Sequence, residues 1–316
     1  MALPPPRVDR HTHLEGSLDP GWVRREAASR GLTVPDVTEA FWRGEAHSFE
    51  AFIGTFVFAC GFLTSRASVQ AALEAAILRL PPPGAQAPRG IDLWISPHWL
   101  VRERQQITLN DLWRGLEAGL AEGRAQGVRI AVIIDAVNHF GPDHGHEVLD
   151  LVLEDLPPWV VGFSTGGLEK VPFRQWAPVF ERARKAGLRL AAHAGENGPA
   201  SGIREAILEA GVQRIVHGVK AGEDPAILEL LVERQIPVDV CLTSNHALIP
   251  GLTRHPLPRF LAAGVRCGLG TDDPGVMRCD LPGEWDKALN TGLSLEAAQR
   301  LRDQSAEDAW SLQIGT

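Results

Sequence analysis

The stretch VDRHTHLEGSL, residues 8–18, sets two histidines two positions apart at the end of a short apolar run. In a strand, residues i and i+2 share a face, so His11 and His13 point the same way. One such pair is a weak signal, because a single His at a strand end more often packs or hydrogen-bonds. Three further runs end in the same chemistry. AAHAGE supplies His193 and Glu196, IVHG supplies His217, and GLGTDDP supplies Asp272 and Asp273. His11, His13, His193 and Asp272 form an N/O donor set suited to one Zn2+ per chain, with bonds of roughly 2 Å and room for a water. A metal of this kind lowers the pKa of water from 15.7 to about 7. Beside it, His217 is placed to orient the water or take its proton, and Glu196 to donate a proton to the substrate. Asp273 follows Asp272 directly and is expected to face the substrate. The plainer alternative is that Glu196, Asp272 and Asp273 only cap the helices that follow them.

These residues need a scaffold that brings strand ends together. Eight β-branched or apolar runs are evident, at 7–13, 91–97, 128–135, 159–165, 188–194, 214–218, 237–243 and 265–271. Amphipathic stretches lie between them. LNDLWRGLEAGLAEGRAQG, for example, spaces Leu109, Leu112, Trp113, Leu116 and Leu120 at helical period and stops at Gly127. Strand and helix alternating eight times predicts a (β/α)8 TIM barrel, whose active face is the C-terminal end of its strands. An open doubly wound sheet is the rival architecture. One connection is abnormal: roughly 75 residues separate the first two runs, too many for a single crossover helix. The chain is therefore read as one domain, 1–316, with a helical insert at about 19–90 over the active-site mouth. The insert contains the Phe-rich SFEAFIGTFVFACGFLTS (48–65) and SVQAALEAAILRL (68–80), and it ends in the proline-rich PPPGAQAPRG. Its phenylalanines either wall a pocket or simply pack the insert onto the barrel.

Bulk composition narrows the partners. A net charge of -8 argues against nucleic acid as ligand, since phosphate binding needs a basic face, but leaves an uncharged nucleoside possible. No 18-residue apolar run and no signal-peptide core is present, so no membrane partner and a cytoplasmic location are expected. The four cysteines show no framework spacing and are read as reduced thiols. Nothing in the sequence bears on oligomeric state. The absent motifs are informative too: there is no HxE with PCxxC, no GxxxxGK[ST], no strand-linked GxGxxG and no HExxH.

The ordered set HTHLEGSL, SPHWL, GFSTGGLE, HAGE, IVHG, CLTSN and GTDDP resembles the adenosine deaminase family of the amidohydrolase superfamily over nearly the whole chain. The resemblance implies a zinc barrel that replaces the exocyclic amine of a 6-aminopurine with oxygen and releases ammonia. It implies that His11, His13, His193 and Asp272 hold zinc and that Glu196 protonates purine N1. It further implies that His217 positions and deprotonates the attacking water, that Asp273 meets N7, and that the Gly167 N–H meets N3. Two positions depart from the adenosine-specific pattern. Glu15 stands where aspartate meets the ribose 5′-hydroxyl, and Ser164 stands where an aspartate opens the loop. Both departures resemble relatives acting on other 6-aminopurines, namely free adenine and 6-amino-6-deoxyfutalosine, a menaquinone precursor bearing a carboxyphenyl ketone. A nucleoside is expected, leaning to the futalosine type, with Arg66 and Arg102 as candidate partners of its carboxylate. An inactive purine-binding barrel is the competing class.

Overall fold

The structure, a computed structural model, describes residues 3–46, 48–84 and 88–314; residues 85–87 of the proline-rich linker lie outside this set. Eight parallel strands pair in sequence order: β1 (Val8–His13), β2 (Arg89–Ile95), β3 (Val128–Val137), β4 (Val160–Gly166), β5 (Arg189–Ala194), β6 (Arg214–His217), β7 (Val238–Val240) and β8 (Cys267–Leu269). The ring closes where His13 N–H donates to Asp272 O at 2.7 Å and Asp272 N–H to His11 O at 2.8 Å. Consecutive order plus closure is the (β/α)8 barrel, not the doubly wound sheet. β7 and β8 are shorter than their apolar runs. In PVDVCLT the chain turns into helix at Leu242, a boundary that an unbroken apolar run does not mark.

The first connection holds α1 (Pro20–Ser29), α2 (Asp36–Arg43), α3 (Phe49–Cys60) and α4 (Arg66–Leu78). α4 acts as the ordinary crossover helix and packs closely on α5 (Leu109–Ala125). A Cβ at Gly115 or Gly119 would come within 2.7 Å of Val69 or Leu73, so only glycine allows this approach. α6 (Pro142–Leu153), α7 (Phe173–Lys185), α8 (Ala200–Leu208) and α9 (Pro225–Glu233) follow β3 to β6. α10 (Leu242–Leu248) and α11 (Leu257–Ala263) follow β7. After β8 come α12 (Pro274–Met277), α13 (Leu281–Asn290), α14 (Leu295–Glu307) and α15 (Trp310–Gln313). α3 packs against α10 and α12, which start at the C-terminal ends of β7 and β8. Arg278 also donates to the carbonyl of Trp42. The insert is thus anchored at the catalytic end of the barrel. Its aromatic residues form a packed series, Phe52 to Phe56 at 6.0 Å and Phe56 to Trp99 at 6.1 Å, which ties the insert to the turn after β2.

The opposite end of the barrel is closed by charge. Arg10, Asp92, Arg214 and Asp239 are fully buried; Arg214 meets Asp92 at 2.7 Å and Arg10 meets Asp239 at 2.7 Å. Asp92 also accepts from the Trp310 and Ser311 amides at 2.9 and 2.7 Å, and the Trp310 ring lies 4.2 Å from the Arg214 guanidinium carbon. α15 is therefore a plug over the N-terminal end of the barrel. Trp310→Ala is expected to lower stability by about 3–5 kcal/mol, the cost of a large core cavity, read as a shift in urea midpoint at unchanged slope. Among the described residues, no helix is long and apolar enough to cross a membrane.

Candidate active site

The strand ends converge. His193 Nε2 lies 3.2 Å from the Nε2 atoms of both His11 and His13. Asp272 Oδ1 lies 3.3 Å from His11 Nε2 and 3.6 Å from His13 Nε2. Burial pushes His11 and His13 down to about 3 and His193 well below the usual imidazole range, so all three rings are neutral. His193 Nδ1–H donates to Thr165 O at 2.8 Å, which fixes its tautomer and turns the Nε2 lone pair toward the cluster. Burial would raise the Asp272 carboxyl. Its hydrogen bond with His11 and the imidazoles of His217, His11 and His13 outweigh this and hold it ionised.

Two of the site residues sit in left-handed backbone, His217 at φ 63° and Asp272 at φ 62°. Side chains rarely accept this conformation, and it turns both groups sharply at their strand ends. His217 Nε2 lies 3.7 Å from Glu196 Oε1. Burial raises the Glu196 carboxyl; the His217 imidazole opposes the shift, and the Asp272 and Glu169 carboxylates add to it. Glu196 is thus biased toward the protonated form that has a proton to give. The other side of His217 is set by a relay. Leu257 N–H donates to His255 Nδ1 at 3.1 Å, so His255 carries its proton on Nε2 and donates it to Asn245 Oδ1 at 3.1 Å. Asn245 Nδ2–H then donates to His217 Nδ1 at 3.0 Å. With Nδ1 accepting from Asn245, the His217 proton sits on Nε2, facing Glu196.

The remaining predicted residues line up around this centre. Burial, with Asp272, Glu15 and Glu196 nearby, raises Asp273 well above the carboxylate range, and its Oδ1 is buried without a partner. Gly16 makes room for it, since a Cβ there would stand 1.9 Å from that oxygen. Glu15 is buried, accepts the Ser96 amide at 2.7 Å through Oε1, and leaves Oε2 unpaired. Burial pushes its pKa up to about 7. Gly167 has φ 78°, and its N–H has no backbone partner among the described residues. Ser164 is fully buried beside Asp135 in the β3–β4 register. Arg66 pairs with Asp111 at 2.7 Å on an exposed surface, and Arg102 is likewise exposed on a short π-helical turn, Trp99–Glu103. Neither arginine joins the cluster.

Besides the Asn245–His255 relay, two contributors went unread in the sequence. Asp135 ends the third run and is buried with Oδ1 unpaired, and burial raises its pKa far above the usual range. It was detectable as a fifth run end bearing a histidine or an acid. Glu169, inside GFSTGGLE, accepts the amides of Gly195, Glu196 and Asn197 at 2.7, 2.9 and 3.0 Å. It clamps the loop that aims Glu196. Glu169→Ala is expected to lower kcat by about 10²-fold, as small misplacement of a catalytic group does, with little change in KM or metal content.

Converging imidazole nitrogens, one ionised carboxylate, a carboxyl whose pKa burial raises, and an oriented imidazole at a barrel's C-terminal mouth are the equipment of a barrel hydrolase. The comparisons specify the class further. The family model described as Adenosine deaminase matches residues 6–313. An adenine deaminase of Streptomyces coelicolor is 31% identical over 95% of this chain and 88% of its own. An aminodeoxyfutalosine deaminase of Acidothermus cellulolyticus is 32% identical over 91% of this chain and 83% of its own. The solved structure of an adenine deaminase from Arthrobacter aurescens superimposes with TM-score 0.84 at 27% identity, covering 97% of this chain and 94% of that one. The chain belongs to the adenosine deaminase family and is a hydrolytic deaminase of adenine- or adenosine-type substrates.

Proposed function

We propose that the protein is a zinc-dependent aminohydrolase that converts a 6-aminopurine nucleoside to its 6-oxo form with release of ammonia. We put 6-amino-6-deoxyfutalosine first among its substrates, which would make it a cytoplasmic enzyme of menaquinone synthesis. The observation that carries the reading is the convergence of four donor atoms beside a protonated Glu196. The donor set fits zinc. Three neutral imidazoles turn nitrogens toward one point at 3.2–3.6 Å with a carboxylate, close to the roughly 3.3–3.5 Å that ligands of a tetrahedral ion keep. When bound, zinc supplies Lewis acidity that makes a water nucleophilic near neutral pH.

The chain's own residues do the rest. Glu196 gives its proton to purine N1, which draws electron density from C6 and prepares it for attack. His217, protonated on Nε2 by the relay, donates to the attacking oxygen and orients it; of the two roles open to it, the tautomer supports this one. Protonated Asp273 donates to N7, and the Gly167 N–H to N3. Glu15 Oε2 and Asp135 Oδ1 are buried without partners, and sugar hydroxyls, which both donate and accept, can satisfy either protonation state of the two carboxyls. The preference for the futalosine compound is supported by the Acidothermus relative's name. Free adenine is the second reading, supported by the names of the Streptomyces and Arthrobacter proteins. Ammonia release from 6-amino-6-deoxyfutalosine, adenosine and adenine, compared on zinc-loaded protein, decides. The futalosine compound is expected to give the highest kcat/KM. Preference for adenosine would move the enzyme to purine salvage. Turnover of adenine alone would overturn the nucleoside reading, and no turnover of any of the three would leave an inactive purine-binding barrel.

A further inference from the structure

A second group of ligating side chains lies at the same end of the barrel and shares no residue with the catalytic cluster. His98 follows β2, and His144 and Glu147 lie one turn apart on α6. The i,i+3 spacing puts the last two on one helix face. His98 and His144 are only 7% and 6% exposed, whereas Glu147 reaches solvent. His98 Nε2 stands 3.6 Å from Glu147 Oε2, and the His98 and His144 rings meet edge to face with centroids 4.8 Å apart. One ligand atom from each residue falls within a 4.8 Å span.

We propose that His98, His144 and Glu147 form a second divalent-metal site of the zinc class, which clips the loop after β2 to α6 at the rim of the mouth. Two observations converge on it. Two nearly buried imidazoles are packed together, and His98 Nδ1 is buried without a hydrogen-bond partner. Packing alone does not call for two histidines where apolar rings would serve. Finally, Glu103 Oε1 stands 3.8 Å from His98 Nδ1, on the side away from Glu147. Glu103 makes no hydrogen bond to His98 at that distance, but a small side-chain adjustment would make it the carboxylate that backs a metal-bound His. The His98–Glu147 separation is already close to the roughly 3.3–3.5 Å of a tetrahedral site, and rotation of the His144 side chain closes the rest. Two nitrogens and one carboxylate oxygen leave a fourth position for water.

Metal content after equilibration with zinc and removal of excess tests this, together with a cobalt titration followed by visible absorption. Wild-type protein is expected to hold two zinc ions per chain, and His144→Ala and Glu147→Gln one each, with deaminase turnover retained. His193→Ala is expected to keep the rim metal alone, and cobalt added to it should give tetrahedral d–d bands that disappear in His193→Ala/Glu147→Gln. Glu147 is exposed, so its variant reports even where His144→Ala does not fold. One zinc per chain in the wild type, or cobalt spectra of His193→Ala unchanged by Glu147→Gln, would overturn the proposal.

Discussion

Glu196→Gln is expected to lower kcat by about 10²–10⁴-fold, the usual contribution of a positioned general acid, while metal content stays at the wild-type level. Gln fills the same space but has no proton to transfer to N1. Burial raises the Glu196 pKa, so wild-type enzyme stays protonated and active above the ordinary carboxylate range. As pH rises through that raised value the acid is lost, and kcat/KM falls. The Gln variant should lack this alkaline limb. Stability carries the same sign. A carboxyl whose folded pKa exceeds its unfolded value stabilises the fold fully below the unfolded pKa, and that stabilisation is lost as pH rises through the folded pKa. Glu196→Gln should therefore unfold at higher temperature than wild type on the alkaline side and lose that advantage in acid. Near-normal turnover, or an alkaline limb persisting in the variant, would show that N1 receives its proton elsewhere.

What the sequence made legible, and what it hid, follows from the range of each interaction. His11, His13, His193, His217 and Asp272 could be read because a strand's period is short and each group sits at a run's end. The barrel followed from repeated alternation, and the insert from one connection too long for a single helix. Boundaries at β7 and β8 were less visible, because Leu242 continues an apolar run while the backbone has already turned into helix. Asp135 had the same local signature as the others, and only its solitary position in VIID concealed it. Glu169 and the Asn245–His255 relay act through contacts of a different kind. Glu169 reaches amides 26–28 residues away, and Asn245 lies 28 residues from His217. No periodicity records such pairings; only the closed barrel brings them together. The buried Arg10–Asp239 and Arg214–Asp92 pairs were hidden for the same reason, since a charge inside an apolar run shows its partner only when the strands meet.

His193→Ala should abolish ammonia release and empty the catalytic metal site together, in a protein that still folds. Its Nε2 is the atom that stands 3.2 Å from both other histidine nitrogens, so its loss removes the central donor and not a peripheral one. Its Nδ1–H bond to Thr165 O shows that the ring is held ready, with little freedom left to lose on binding. The neighbouring groups are poor replacements. His217 accepts from Asn245 at Nδ1 and so carries its proton on the nitrogen that faces the cluster, and burial with neighbouring carboxylates raises the pKa of Asp273 and Glu196. A water left without metal would regain a pKa near 15.7 in place of about 7, a change worth on the order of 12 kcal/mol in forming the nucleophile at neutral pH. Metal analysis and ammonia assays on the same preparation check this, with thermal unfolding as the control for fold. Parallel loss of metal and activity at a retained transition is the expected pattern. Activity surviving without metal would refute zinc dependence and leave Glu196, His217 and Asp273 to act on an unassisted water.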